Sequence, residues 1–226
     1  MNQLPLPIIT KLVYSPDNFL IHSGVRESLS YLTGALSVSN FSCCIVQGAS
    51  RSGKTHLSIK LMQLVGAQGL FPRLISGDEI AEACAEVTLG EILIIDDADK
   101  FFIGATPGNS GPFVSLYERL RGVQGKLVLL ISRSLTEFPC DDHIMSRLRA
   151  AHRVELASPS ESELGELLRL LAHQRGLKLA ERNIAFLLKR VGRDLRSLEY
   201  YLDRLNHLSQ VLGKSIKFRM LADAVG

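Results

Sequence analysis

Short aliphatic runs bounded by turn residues or charges set the rhythm of the first 156 positions. Cys43-Cys44-Ile45-Val46, Phe71 to Ser76, Ile92-Leu93-Ile94-Ile95, Lys126 to Ser132 and His152 to Leu156 each read as a strand. The unbroken runs among them predict strands buried on both faces, as in a parallel sheet. Between them the apolar residues recur at helical spacing: about Gly24 to Ala35, then Leu57, Leu61, Met62, Leu64 and Val65, then Phe113 to Leu120 and Asp141 to Arg149. A shorter amphipathic stretch covers Asp78 to Ala85, and Gly104 to Pro112 reads as a loop. Strand and helix alternate, which is the pattern of an α/β fold.

The rhythm changes at Ser158. Ser158-Pro159-Ser160-Glu161-Ser162-Glu163 is N-cap and first-turn chemistry, and three helices are predicted beyond it, over Glu161–Gln174, Ala180–Val191 and Leu195–Leu212. Lys217 to Val225 offers a short fourth. The expected organisation is an extended arm over residues 1–12, an α/β domain over 13–156 and an all-helical domain over 157–226.

Composition narrows the class. Of 226 residues, 46% are hydrophobic and 22% charged, as in ordinary globular proteins. The net charge of +3 is too small to argue for nucleic-acid binding by charge alone. No apolar run reaches the roughly 18 residues of a membrane span, and no charged segment precedes an apolar one as in a signal peptide. Cys43, Cys44, Cys84 and Cys140 lack a C-x-x-C spacing, and the adjacent pair lies in a buried strand, where free thiols behave as small apolar groups. The expectation is a reduced, cytoplasmic protein with no membrane partner.

The chemistry is densest after the first strand. Gly48-Ala49-Ser50-Arg51-Ser52-Gly53-Lys54-Thr55 spells the G-x-x-x-x-G-K-[ST] of a P-loop, with a strand before it and a helix after it. Two glycines let the backbone wrap so that its N–H groups face phosphates. Gly48, Ser50, Ser52, Gly53, Lys54, Thr55 and His56 are the candidate cradle for ATP or ADP. Lys54 would reach the β and γ oxygens, and Thr55 would hold Mg²⁺. The strand ending Ile94-Ile95-Asp96-Asp97 places acids at its carboxyl end, where open α/β sheets carry their sites. Asp96 is a candidate to hold Mg²⁺ beside Thr55, and Asp97 to orient an attacking water. Phe19 and Leu20, just ahead of the first helix, either pack on a nucleotide base or belong to the core.

Other features stay open on physics alone. Ser132 to Ser134 either sense a γ-phosphate or cap their strand. Arg147 either serves a neighbour's site or makes a surface ion pair. Arg196, near the start of its helix, either swings to a nucleotide or stays solvated. The Pro-punctuated arm, Gln3-Leu4-Pro5-Leu6-Pro7-Ile8, either packs on its own domain or is an extended ligand for another protein.

In this order, P-loop, Asp-Asp strand, polar strand end, edge arginine and helical lid resemble the AAA+ ATPases. Gly-Lys-Thr-His-Leu (53 to 57), Ile-Asp-Asp (95 to 97), Asp-Asn-Phe-Leu (17 to 20) and Ser-Arg-Leu (146 to 148) resemble the DnaA/Hda family of replication proteins within that class. Leu116-Tyr117-Glu118-Arg119-Leu120 and Phe186-Leu187-Leu188-Lys189-Arg190 look like the same family. The resemblance runs over about residues 13–226; the expectation is that no helix-turn-helix DNA-binding domain follows the lid, and the segment between Ser76 and Glu91 is short, both of which resemble the family's regulatory branch.

The resemblance implies a three-layer α/β/α core with a parallel sheet and a small helical lid. It implies that Gln3, Leu4, Leu6 and Ile8 dock on the β sliding clamp of DNA polymerase III, which connects the chain to DNA indirectly. It further implies that Arg147 is an arginine finger that triggers hydrolysis of DnaA-bound ATP, inactivating the initiator and preventing re-initiation. Arg196 matches the family's nucleotide-contacting lid arginine. A homo-oligomer is compatible with the pattern. Where the family carries an Asp after its sensor strand this chain has Ser132-Arg133-Ser134, which sets its own ATP turnover in question, while the retained Asp96 and Asp97 point the other way. The alternative is a DnaA-like or helicase-loader ATPase acting on DNA with its own turnover. A third reading is an adapter in which nucleotide only stabilises the fold.

Overall fold

The computed structural model describes residues 19–105, 111–192, 194–212 and 221. These fall into two compact units, one of Phe19 and Ser23–Ser158, the other of Leu20–His22 and the residues from Pro159 onward.

The first unit is built on five parallel strands in the order β2-β3-β4-β1-β5: β1 Ser42–Gln47, β2 Pro72–Ser76, β3 Ile92–Asp96, β4 Lys126–Ile131 and β5 His152–Glu155. All five expected strands are present. The register sets Cys43 beside Leu127 and Ile45 beside Leu129, and it brings Ser76 beside Asp96. β3 and β4 are buried almost end to end, which is why their sequences are continuous aliphatic runs rather than alternating ones.

Helices cover both faces. Cys43, Ile45, Leu93, Ile95, Leu127 and Leu129 point into one cluster, packed by α3 Ile80–Ala83, α4 Asp99–Gly104, α5 Gly111–Gly122 and α6 Asp142–Ala150. The intervening Cys44, Val46, Ile94 and Val128 are equally buried on the other face, the side of α1 Ser23–Ser37 and α2 Lys54–Gly66. Strand periodicity thus delivers one apolar set to each layer. At the base of the sheet, Arg73 ties two carboxylates together: its Nε donates to Glu91 at 2.8 Å and its Nη1 to Glu86 at 2.8 Å. Glu91 is buried and accepts the Thr88 N–H with its other oxygen at 2.8 Å, so the charge has partners on both sides.

The second unit holds α7 Leu164–Gln174, α8 Glu181–Arg190 and α9 Leu195–Leu212. Leu168, Leu171, Ile184, Leu187, Leu198, Leu202 and Leu205 recur at helical spacing and form its core. Arg175, nearly buried, is paired with Asp203 at 2.7 Å. Asp194 caps α9, accepting from Ser197 N–H at 2.9 Å and Oγ at 2.6 Å, and these donors hold its carboxyl below the usual range.

Several boundaries differ from the sequence reading. Helix α7 begins at Leu164 rather than Glu161, because Glu163 folds back onto Ser160 (Oγ to Oε2 2.6 Å) and closes a separate turn. Helix α5 begins at Gly111, so Pro112 lies inside it; a proline in the first turn costs no helical hydrogen bond. The expected stretch Asp78–Ala85 is α3 flanked by two 3₁₀ turns, Gly77–Glu79 and Cys84–Glu86. Helix α4 had no counterpart in the sequence reading, its adjacent Phe101 and Phe102 giving no periodic pattern. The arm with Gln3, Leu4, Leu6 and Ile8, positions 106–110 of the loop, and the tail helix apart from the buried Leu221 lie outside the described residues.

Two glycines give opposite expectations. A Cβ on the buried Gly77 would meet the Asp97 carbonyl oxygen and lie 3.0 Å from Ala98 Cα, both backbone atoms that cannot swing away. Gly34 sits exposed within α1 with nothing within 4 Å of a built Cβ. Gly77→Ala is therefore expected to lower stability by about 1–3 kcal/mol through overpacking. Gly34→Ala is expected to raise it by about 0.5–1 kcal/mol through helix propensity. Paired denaturation curves against the unmodified chain check both.

Candidate nucleotide site

The site forms where β1 and β3 end. Gln47 closes β1, and the chain turns through Gly48, whose N–H donates to Ile131 O on β4 at 3.1 Å. Arg51 takes a left-handed φ of 63° and Gly53 one of 94° before α2 begins. This sequence of turns is what a loop must adopt to curl its N–H groups inward. Helix α2 has no side-chain cap at Gly53, so its first-turn N–H groups keep their capacity for an anion.

Three local observations fit the loop to phosphate. A Cβ on Gly48 would lie 2.5 Å from Ser52 Oγ and 3.0 Å from Leu156 Cβ, so only glycine lets the loop close. The Ser52 hydroxyl is buried with no partner among the described residues. Lys54 is itself buried, and its ammonium donates to Gly48 O and Ala49 O, both at 2.9 Å, leaving the third of its donors available to a ligand. Burial pulls the Lys54 pKa below the ordinary range, opposed by the carboxylates of Asp99, Asp96 and Asp97.

The metal candidates meet. Thr55 Oγ1 donates to Asp96 Oδ2 at 2.7 Å, linking the start of α2 to the end of β3. Among the described residues no group of three or more His, Cys, Asp and Glu is arranged to hold a metal by itself. A hydroxyl and a carboxylate with nucleotide oxygens suit Mg²⁺, which keeps waters and needs few protein ligands. Asp97 is exposed, has a left-handed φ of 48°, and its carboxylate lies 3.6 Å from Lys100 Nζ. Phe19 stacks on His56 with ring centroids 5.9 Å apart and planes 9° apart, and it also touches the position of a Gly53 Cβ. Burial lowers the His56 pKa, favouring a neutral ring. Ser50 is exposed on the loop and Leu20 half-buried.

Asp99 is the residue that sequence reasoning passed over. It is buried at the start of α4 and accepts the backbone N–H of Ser132 at 2.8 Å and of Arg133 at 3.0 Å. One carboxylate from β3's far side thereby fixes the turn after β4. The signal was present as a third acid in Ile-Asp-Asp-Ala-Asp, but only the unforeseen α4 explains its direction. Ser134 caps the 3₁₀ turn Leu135–Glu137, with Glu137 accepting the Ser134 N–H at 2.9 Å.

Arg147 lies on α6, and its guanidinium is held by Glu118 of α5: Nε at 3.0 Å and Nη2 at 2.7 Å from the same oxygen. Its Nη1 donates to His143 O at 2.7 Å, and its Cζ stands 5.6 Å over the Tyr117 ring. Arg196 is exposed in the first turn of α9 within the other unit. Burial pushes the Cys44 and Cys140 thiols up to about 11 and Cys43 further still, which disfavours the thiolate form. Among the described residues no helix is long and apolar enough to cross a membrane.

Comparison with known proteins places this arrangement. Residues 161–216 match the family model described as Hda, lid domain. An uncharacterized protein of Haemophilus influenzae is 27% identical over 220 residues, covering 92% of this chain and 91% of that one. Domain III of the Thermotoga maritima replication initiation protein DnaA superposes with a TM-score of 0.75 at 18% identity, over 93% of this chain and 95% of that one. AMPPCP-bound DnaA from Aquifex aeolicus gives 0.67 at 21% identity, over 94% and 71%. The Thermotoga maritima RuvB Holliday junction branch migration motor gives 0.67 at 18%, over 94% and 71%. At these identities the structural likeness is one of fold: a five-stranded parallel sheet covered by helices. With the lid match beside it, the chain resembles the Hda/DnaA proteins, in its lid by sequence and in its core by fold.

Proposed function

We propose that the chain is a nucleotide-bound regulator of chromosome replication that docks on the β sliding clamp of DNA polymerase III and stimulates hydrolysis of DnaA-bound ATP. The observation that carries this reading is the combination of a lid of Hda type with a core of DnaA fold. On this reading the P-loop holds ADP or ATP, with Lys54 at the phosphates and Thr55 and Asp96 at Mg²⁺. The bound metal supplies charge neutralisation at the phosphates. Arg147 is the part of the chain that acts on another molecule's nucleotide, as a finger supplied in trans. The arm tethers the chain through Gln3, Leu4, Leu6 and Ile8, in the manner of extended-peptide ligands. The finger and the phosphate cradle then do different jobs, one lending charge outward and one holding a resident nucleotide. The initiator, left with ADP, is inactive.

A second reading, an ATPase with its own turnover on DNA, draws support from Asp96 and Asp97 beside the P-loop. Steady-state hydrolysis separates the two. Strong turnover by the isolated chain, lost in Lys54→Ala, favours the second.

Lys54→Ala removes a charge-assisted contact and is expected to weaken ADP binding about 10- to 100-fold, read by titration calorimetry. Arg147→Ala is expected to keep ADP and clamp binding while abolishing stimulated hydrolysis of DnaA-bound ATP; undiminished stimulation would remove its finger role. Replacing Gln3, Leu4 and Leu6 together by Ala is expected to abolish clamp capture in a pull-down without moving the melting temperature. A fall in melting temperature would instead make the arm part of the fold.

A further inference from the structure

Arginine has five N–H donors in a rigid fork, and an arginine that must meet a phosphoryl group has to present the right edge of it. In this chain Nε–H and one Nη2–H both point to a single oxygen of Glu118, at 3.0 and 2.7 Å. The third bonded donor, on Nη1, goes back one helical turn to His143 O. Nε and Nη2 share the side edge of the guanidinium, so Glu118 occupies that edge. One hydrogen on each Nη is left over, and phosphate oxygens accept such donors.

We infer that Glu118 is a positioning residue for Arg147, holding the Nε/Nη2 edge of its guanidinium so that the remaining Nη donors are presented in one fixed orientation to a phosphoryl group held by a neighbouring molecule. This rests on the reading of Arg147 as a finger in trans. Tyr117 supports the same orientation from below, its ring facing the guanidinium at 5.6 Å. The Arg147 side chain is 22% exposed and that of Glu118 45%, so the ion pair is too wet to be a major stabiliser of the fold. Its value lies in order: a flexible side chain fixed before the encounter has less rotamer freedom to lose when it binds. Tyr117 belongs to the apolar core with Phe41 and Phe113, so the test is confined to the half-exposed Glu118.

The test is single-turnover phosphate release from ATP pre-bound to DnaA, titrated with the full chain on DNA-loaded clamp. Glu118→Ala is expected to lower the maximal rate about three- to tenfold, the worth of one immobilised side chain. The half-saturating concentration and the chain's own ADP affinity are expected to stay unchanged. Glu118→Gln, which keeps an oxygen acceptor without the charge, is expected to recover part of the rate, and it serves as the probe if the Ala variant folds poorly. An unaltered or faster maximal rate in both variants, with Arg147→Ala inactive, overturns the positioning role and leaves the finger standing. A fully active Arg147→Ala overturns both.

Discussion

A lysine ammonium buried at the end of a strand cannot persist without partners, and the first unit is arranged around that constraint. Lys54 is satisfied by two carbonyls of its own loop and lies in the field of Asp96, Asp97 and Asp99. Each acid is placed by backbone geometry rather than by chance proximity. The parallel register sends β3 out beside β4, so its terminal acids arrive near the loop that leaves β1. Gly48 permits the loop to close on Ser52, and Gly53 starts α2 with its first-turn donors facing the same place. The site is thus a consequence of where strands end.

The same logic links this centre to the edge of the unit. Asp99 grips the backbone after β4, whose continuation leads through the Leu135–Glu137 turn to α6 and Arg147. A carboxylate that neighbours the P-loop lysine therefore also fixes the start of the segment that carries Arg147. Glu118 on α5 holds the far end of that segment. The P-loop region and the Arg147 region of one unit are joined by a short stretch of chain anchored at both ends.

Much of this was legible in the sequence because it rests on local rules. Unbroken aliphatic runs such as Ile92 to Ile95, ending in acids, read as central parallel strands, and the P-loop spelling follows backbone geometry at Gly48 and Gly53. The helices of the second unit announced themselves by leucine spacing. What was not legible depended on contacts distant in sequence. Helix α4 is amphipathic only in the company of Phe113 and Phe138, which cover Phe102. Asp99 reads as one more acid until its partners, some 33 positions away, are known. The start of α7 moved because Glu163 found Ser160 before it found a helix. For Arg147 the sequence left an ion pair and a trans role as alternatives; the fold supplies the ion pair, and the proposed role makes that pair its support.

On the proposed function, hydrolysis takes place in another protein's site rather than at this chain's own P-loop. The most direct measurement loads DnaA with ATP labelled at the γ-phosphate and supplies the chain with unlabelled nucleotide on DNA-loaded clamp. Rapid release of labelled phosphate is expected only when chain and clamp are both present, with negligible turnover by the chain alone. Retention of the label on DnaA, while the unlabelled nucleotide of the chain is consumed, would contradict the proposed function.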